Sequence, residues 1–276
     1  MKTISMLVFT VCVFSSAIAQ VKASNIPQRE AVFIIGSSIG DHTEVVSNLN
    51  EIAGYLESQN FKVTKFYNES NDWEAIKKAS TNASIFLYRG HGTELGIDGG
   101  FGGIVIGEFI SGQRIAAELK FKNKPIILFS SVCGGAGSSA GDLKDIGITE
   151  ANKRIVGSSL PFLLAGGVAY YASNYPGGIV SLLKQLFDNK TLEESFIALS
   201  SDWNHIERNQ LLNEKRLNGC YKIGVLSAKG GGISTVTRTT NGVTTVKKII
   251  SPKGYEVAYL GDPTYKMNAQ QLISKK

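Results

Sequence analysis

Ser84-Ile-Phe-Leu-Tyr-Arg-Gly-His-Gly92 and Pro125-Ile-Ile-Leu-Phe-Ser-Ser-Val-Cys-Gly-Gly135 share one plan: an apolar run, then a reactive side chain set among small residues. Runs of this length, rich in Ile, Leu, Val and Phe, read as strands covered on both faces of a parallel sheet. In open α/β sheets, ligands bind just beyond the carboxyl ends of such strands. His91 and Cys133 are thus expected at one sheet edge, as a thiol nucleophile and its proton partner.

Strand and helix patterns alternate on both sides of this pair. Ala31–Ile35 reads as a first strand and Phe61–Tyr67 as a second, with an amphipathic helix over Thr43–Ser58 between them. A second helix is expected over Ser70–Ala79, capped by Asn71 or Ser70, with Trp73 and Ile76 packing inward. Ser111–Leu119 reads as a helix, and so does Thr149–Ala165, with Pro161 a candidate kink. Val168–Ala172 is a fifth strand, followed by helices over Ile179–Phe187 and Leu192–Leu199. His205 falls in what reads as a further polar helix. Five βα alternations call for a mostly parallel sheet with helices on both faces.

The pattern changes near the C-terminus. Tyr221–Leu226, Gly232–Arg238 and Val243–Ile250 are β-rich, with Asn241-Gly242 as a hairpin turn. A small antiparallel insert is expected over about residues 221–250, before Tyr255–Leu260 returns to the sheet as a sixth strand. No internal repeat or low-complexity linker divides the chain, so residues 20–276 are expected to form one catalytic domain.

Composition narrows the class. Hydrophobic residues make up 43% and charged residues 19% of the 276, which fits a chain with a sizeable core. The formal net charge is +6, but the basic residues are scattered, and no stripe of Lys and Arg with interleaved aromatics marks a nucleic-acid site. Lys2, the apolar run Met6–Phe14 and Ala17-Ile18-Ala19 compose a secretory signal over residues 1–19 with a small-x-small cleavage site. That run is too short to span a bilayer, so an exported protein without a membrane anchor is expected. Cys12 leaves with the signal, and the remaining Cys133 and Cys220 do not make a disulfide scaffold. The His and Cys residues are too dispersed for a zinc site, and the Gly36–His42 turn lacks a phosphate-loop pattern, so no metal or cofactor is expected.

The residue types at the two strand ends carry a definite chemistry. A thiolate is the effective nucleophile, and a nearby His lowers the thiol pKa and moves the proton. Glycines around Cys133 let a peptide backbone approach closely. The amide N–H groups of Gly92 and Cys133 are candidates for an oxyanion hole. Taken singly, a Cys after a buried strand is often a small core hydrophobe and a His between glycines a turn cap. Taken jointly, each ends a buried strand and one crossover helix separates them, which is a far more specific arrangement.

Arg89-Gly90-His91-Gly92 after one apolar strand, and Ser131-Val132-Cys133-Gly134-Gly135 after another, resemble the caspase-like superfamily of cysteine peptidases. That group includes caspases, metacaspases, legumains, clostripain-like enzymes and gingipains. A caspase-type Cys lies about 50 residues after its His, close to the spacing here. Tyr259-Leu-Gly-Asp-Pro263 is similar to the Gly-Asp-Pro found late in gingipain-like catalytic domains. The resemblance covers about Ala31–Phe187 and this last strand. It implies a caspase–haemoglobinase-like, six-stranded fold, a Cys133/His91 dyad and endopeptidase activity on a peptide or protein substrate. It also implies that the position two before the Cys and the loop after the first strand line the specificity pocket. Here those positions are Ser131, where relatives carry Gln, Glu or Asp, and Asp41. A carboxylate at Asp41 favours substrate Arg or Lys; alternatively Asp41 caps the helix from Thr43. An inert binding relative and a transpeptidase using the same dyad are the two rival functions.

Overall fold

The structure is a computed structural model describing residues 28–37, 42–68, 71–92, 102–139, 142, 144–175, 177–199, 205–212, 221–228, 233–240, 243–250 and 254–267. Residues 1–19, read as a signal, Asp41, Cys220 and residues 93–101 lie outside the described residues.

The chain runs β1 (Arg29–Ile35), α1 (His42–Ser58), β2 (Phe61–Phe66), α2 (Trp73–Ser80), β3 (Ala83–Arg89), β4 (Gly103–Val105), β5 (Phe109–Ser111), α3 (Gly112–Glu118) and β6 (Ile126–Ser130). It continues through α4 (Gly147–Leu164), β7 (Ala169–Ser173), α5 (Gly178–Phe187), α6 (Leu192–Leu199) and β8 (His205–Leu212). Four strands close it: β9 (Tyr221–Ala228), β10 (Ile233–Thr240), β11 (Val243–Ile250) and β12 (Gly254–Gly261).

Side-chain alternation along the central strands divides the apolar residues between two cores. Phe86 and Tyr88 of β3 and Phe129 of β6 face one core, with α2, α3 and α4. Ile85 and Leu87 of β3 and Leu128 of β6 face the other, with α1, α5 and α6. Both faces are covered, which is why these strands read as unbroken apolar runs rather than as alternating ones. Phe129 is fully buried and its ring meets Tyr88, Phe162 and Tyr170 at centroid distances of 5.5, 5.4 and 5.2 Å.

The sheet has eight strands in the order β2-β1-β3-β6-β7-β12-β9-β8. The first five are parallel neighbours, and β12, β9 and β8 add antiparallel pairs. The expected α/β architecture with helices on both faces is therefore present, but the count of six strands is corrected to eight. Tyr221–Ala228 belongs to the central sheet, paired with β12, rather than to a separate insert. Of the expected insert, β10 and β11 pair as a separate antiparallel two-stranded sheet, and Asn241-Gly242 lies outside the described residues. His205 begins an edge strand paired at Ser227, not a helix. The polar run after α6 lacks the apolar spacing of a strand because an edge needs little of it, and so it mimics a helix face.

Other boundaries shift for local reasons. Helix α2 starts at Trp73 because the Asp72 carboxylate accepts the Glu74 N–H at 2.9 Å, the role of an N-cap. Asn71, expected as that cap, is buried and donates instead to the carbonyls of Ile35 and Asn68, 2.9 Å each. Its own N–H donates to Ile106 at 2.8 Å, so this one residue ties the β4–β5 turn to the end of β1. Helix α4 continues through Pro161 to Leu164.

Candidate active site

Register places the carboxyl ends of the parallel strands side by side. Ile35 pairs with Arg89, Tyr88 with Phe129, and Ser130 with Ser173. The order β2-β1-β3 reverses direction at β1, which opens the crevice rule for α/β sheets at this edge. His91 follows β3 and Cys133 follows the adjacent β6, so the two reactive residues leave neighbouring strands at the same end.

The His91 segment is built on a buried phenol. Tyr88 is fully buried, and its hydroxyl donates to the carbonyl oxygen of His91 at 2.9 Å. The Tyr88 hydroxyl oxygen in turn accepts the Val105 N–H at 3.2 Å. Burial pushes this phenol well above its usual range, so it remains a donor across working pH. Gly36 donates its N–H to the Arg89 carbonyl at 2.8 Å, and Gly92 forms an antiparallel bridge with Ile104. The turn is thus held between β1 and the β4–β5 hairpin, leaving the His91 side chain exposed.

Gly92 brings the two loops together. A Cβ there would overlap the carbonyl oxygen of Cys133 and crowd Val132. Only a residue without a side chain permits so close an approach of the two backbones.

The Cys133 loop is pinned on several sides. It leaves β6 through Ser131, at φ 51°, and turns again at Gly134 and Gly137, at φ 74° and 111°. Ser131 donates its N–H to Ser173 at 2.8 Å and its hydroxyl to the Asn174 carbonyl at 3.3 Å. The Tyr170 hydroxyl donates to the Gly135 carbonyl at 2.9 Å. Ser138 donates its N–H to the Tyr255 carbonyl at 3.2 Å, and its hydroxyl accepts the Tyr255 N–H at 2.6 Å. From α4, Arg154 Nη1 donates to the Gly137 carbonyl at 3.3 Å and to both Asp142 oxygens, at 3.0 and 2.9 Å. Asp142 also accepts the Ser139 N–H at 2.8 Å. Cys133 itself is partly exposed and carries a free thiol. Among the described residues, none accepts a hydrogen bond from its amide N–H.

Two charged groups at this edge escaped the sequence reading. Arg89 is half-buried and donates to Ser130 Oγ at 3.3 Å on the α1 face; burial lowers its pKa and Glu44 opposes that. Glu256 lies at the start of β12, which runs antiparallel to β7 and therefore begins where the parallel strands end. Asn174 donates its side-chain N–H to Glu256 Oε2 at 2.7 Å and its backbone N–H to the Glu256 carbonyl at 2.9 Å. The signal that finds Glu256 is the direction of β12, which alternation along one strand does not encode.

Of the sequence candidates, His91, Gly92, Ser131 and Cys133 therefore share one edge, and Asp41 lies outside the described residues. No family model matches the chain, and no curated protein sequence matches it.

Proposed function

We propose that the chain is a caspase-like cysteine endopeptidase, exported by its N-terminal signal. The observation that carries this is the contact of Gly92 with the Cys133 carbonyl, which joins the His and Cys loops beyond the carboxyl ends of adjacent parallel strands. The strand order, with an antiparallel strand after five parallel ones, is compatible with a caspase-like architecture.

In this reaction the Cys133 thiol gives its proton to His91, and Sγ forms a bond to the scissile carbonyl carbon. The oxyanion accepts hydrogen bonds from the Cys133 and Gly92 amides. The C–N bond breaks as His91 returns the proton to the leaving amine. Water then adds to the thioester, losing a proton to His91, and the acid product departs as the thiol is restored.

The test compares wild type, Cys133→Ala and His91→Ala on a diverse peptide mixture. New termini appear with wild type alone. Products identical in wild type and Cys133→Ala would leave an inert binding protein, and products joined to added amines would mark a transpeptidase. Iodoacetamide at neutral pH labels Cys133 quickly, and His91→Ala slows it.

A further inference from the structure

We propose that Glu256 determines specificity, receiving the cationic side chain of an arginine or lysine next to the cleaved bond. This deepens the peptidase proposal and rests on it.

The carboxylate is held in place rather than left mobile. Asn174 bonds Glu256 twice, through its side-chain amide and through its backbone N–H. The preceding residue, Tyr255, is bonded twice to Ser138 of the Cys133 loop. From the other side, the Ser131 hydroxyl holds the Asn174 carbonyl. A continuous chain of hydrogen bonds therefore runs from the residue two before Cys133 to the Glu256 carboxylate. Glu256 is partly exposed, and among the described residues no lysine or arginine pairs with it. An oriented carboxylate that is partly exposed and, among the described residues, unpaired with a cation is suited to receive an external one.

A second feature points to the same ligand. Tyr175 follows Asn174 and is 42% exposed. Its phenol is pushed up first by burial and then by the nearby Glu256 charge. A carboxylate whose charge is felt by a part-exposed phenol suits a guanidinium, which takes a hydrogen bond acceptor in its plane and a ring against its face. Ser131, being short and uncharged, adds no competing charge between this pair and Cys133.

The experiment has a cleavage arm and a binding arm. Fluorogenic peptides differing only in Arg, Lys, norleucine or Asp before the bond are given to wild type, Glu256→Gln and Tyr175→Leu. The same peptides, labelled, are titrated into Cys133→Ala with and without Glu256→Gln. Gln keeps the size of the side chain and its bond from Asn174, and equal melting temperatures verify the fold. Wild type should favour Arg, and Glu256→Gln should lose about 10- to 100-fold in kcat/KM on Arg with little change on norleucine. Tyr175→Leu should lose less, and more on Arg than on Lys. In the binding arm Cys133→Ala should prefer the Arg peptide, and lose that preference with Glu256→Gln. Cleavage without Arg or Lys preference, cleavage after Asp, or an Arg preference kept in Glu256→Gln overturns the assignment and leaves the peptidase intact. Arg-selective, Glu256-dependent binding without turnover removes the peptidase and retains the receptor. Neither binding nor turnover removes both.

Discussion

The Tyr88 hydroxyl donates to the carbonyl oxygen of His91 across three residues, at 2.9 Å, from a fully buried position under the loop. The last inward-facing residue of β3 thus sets the path of the residue proposed to move the proton. Tyr88→Phe leaves the ring in place but removes the donor to His91 and the acceptor for Val105. The expected cost is about 1–3 kcal/mol in urea denaturation, with a fall of about tenfold or more in kcat on peptide substrates and little change in KM. A variant with full activity would show that the bond does not position His91.

Gly92→Ala tests the contact between the loops. The new methyl group meets the Cys133 carbonyl, and one backbone must retreat. Displacement by about 1 Å at a reacting centre costs on the order of 100-fold. The expected result is a loss of that size in kcat/KM together with slower labelling of Cys133, while the circular dichroism spectrum stays that of the wild type.

Arg154 and Asp142, only 17% and 10% exposed, clasp the Cys133 loop to α4. Arg154→Met keeps most of the side-chain volume and strands the Asp142 charge. Breaking such a pair from one side costs about 3 kcal/mol, read as a lower urea midpoint. Asp142→Asn, which leaves the loop able to accept some of the same hydrogen bonds, should cost less.

Glu118 gives a pH signature far from the site. Its carboxylate accepts the Trp73 indole N–H at 2.7 Å, and hydrogen bonds from Arg114 and Lys77 at 3.1 and 3.2 Å. The indole bond first, then those to Arg114 and Lys77, hold its pKa down at about 2, against an ordinary 4.5. The folded value is the lower one, so the clasp between α2 and α3 is at full strength above the unfolded value. It is lost as pH falls through about 2. Glu118→Gln should lower the melting temperature at neutral pH, and the gap from wild type should close on acidification. A constant gap from pH 7 to pH 2 would rule out the charged clasp.

Sequence alone determined the class of architecture and half of the candidate site. The runs ending in His91 and Cys133 are unbroken because both sheet faces are covered, and that continuity is written in residue type. The intervening helix brings the two ends to one edge for any right-handed crossover. Tertiary structure decided what alternation leaves open. A period of two identifies a strand but neither its partner nor its direction. So Tyr221–Ala228 and His205–Leu212 entered the central sheet, and β12 ran backwards beside β7. That reversed direction is the physical reason Glu256, 82 residues beyond Asn174 in the chain, shares a hydrogen bond with it at the edge where Cys133 sits.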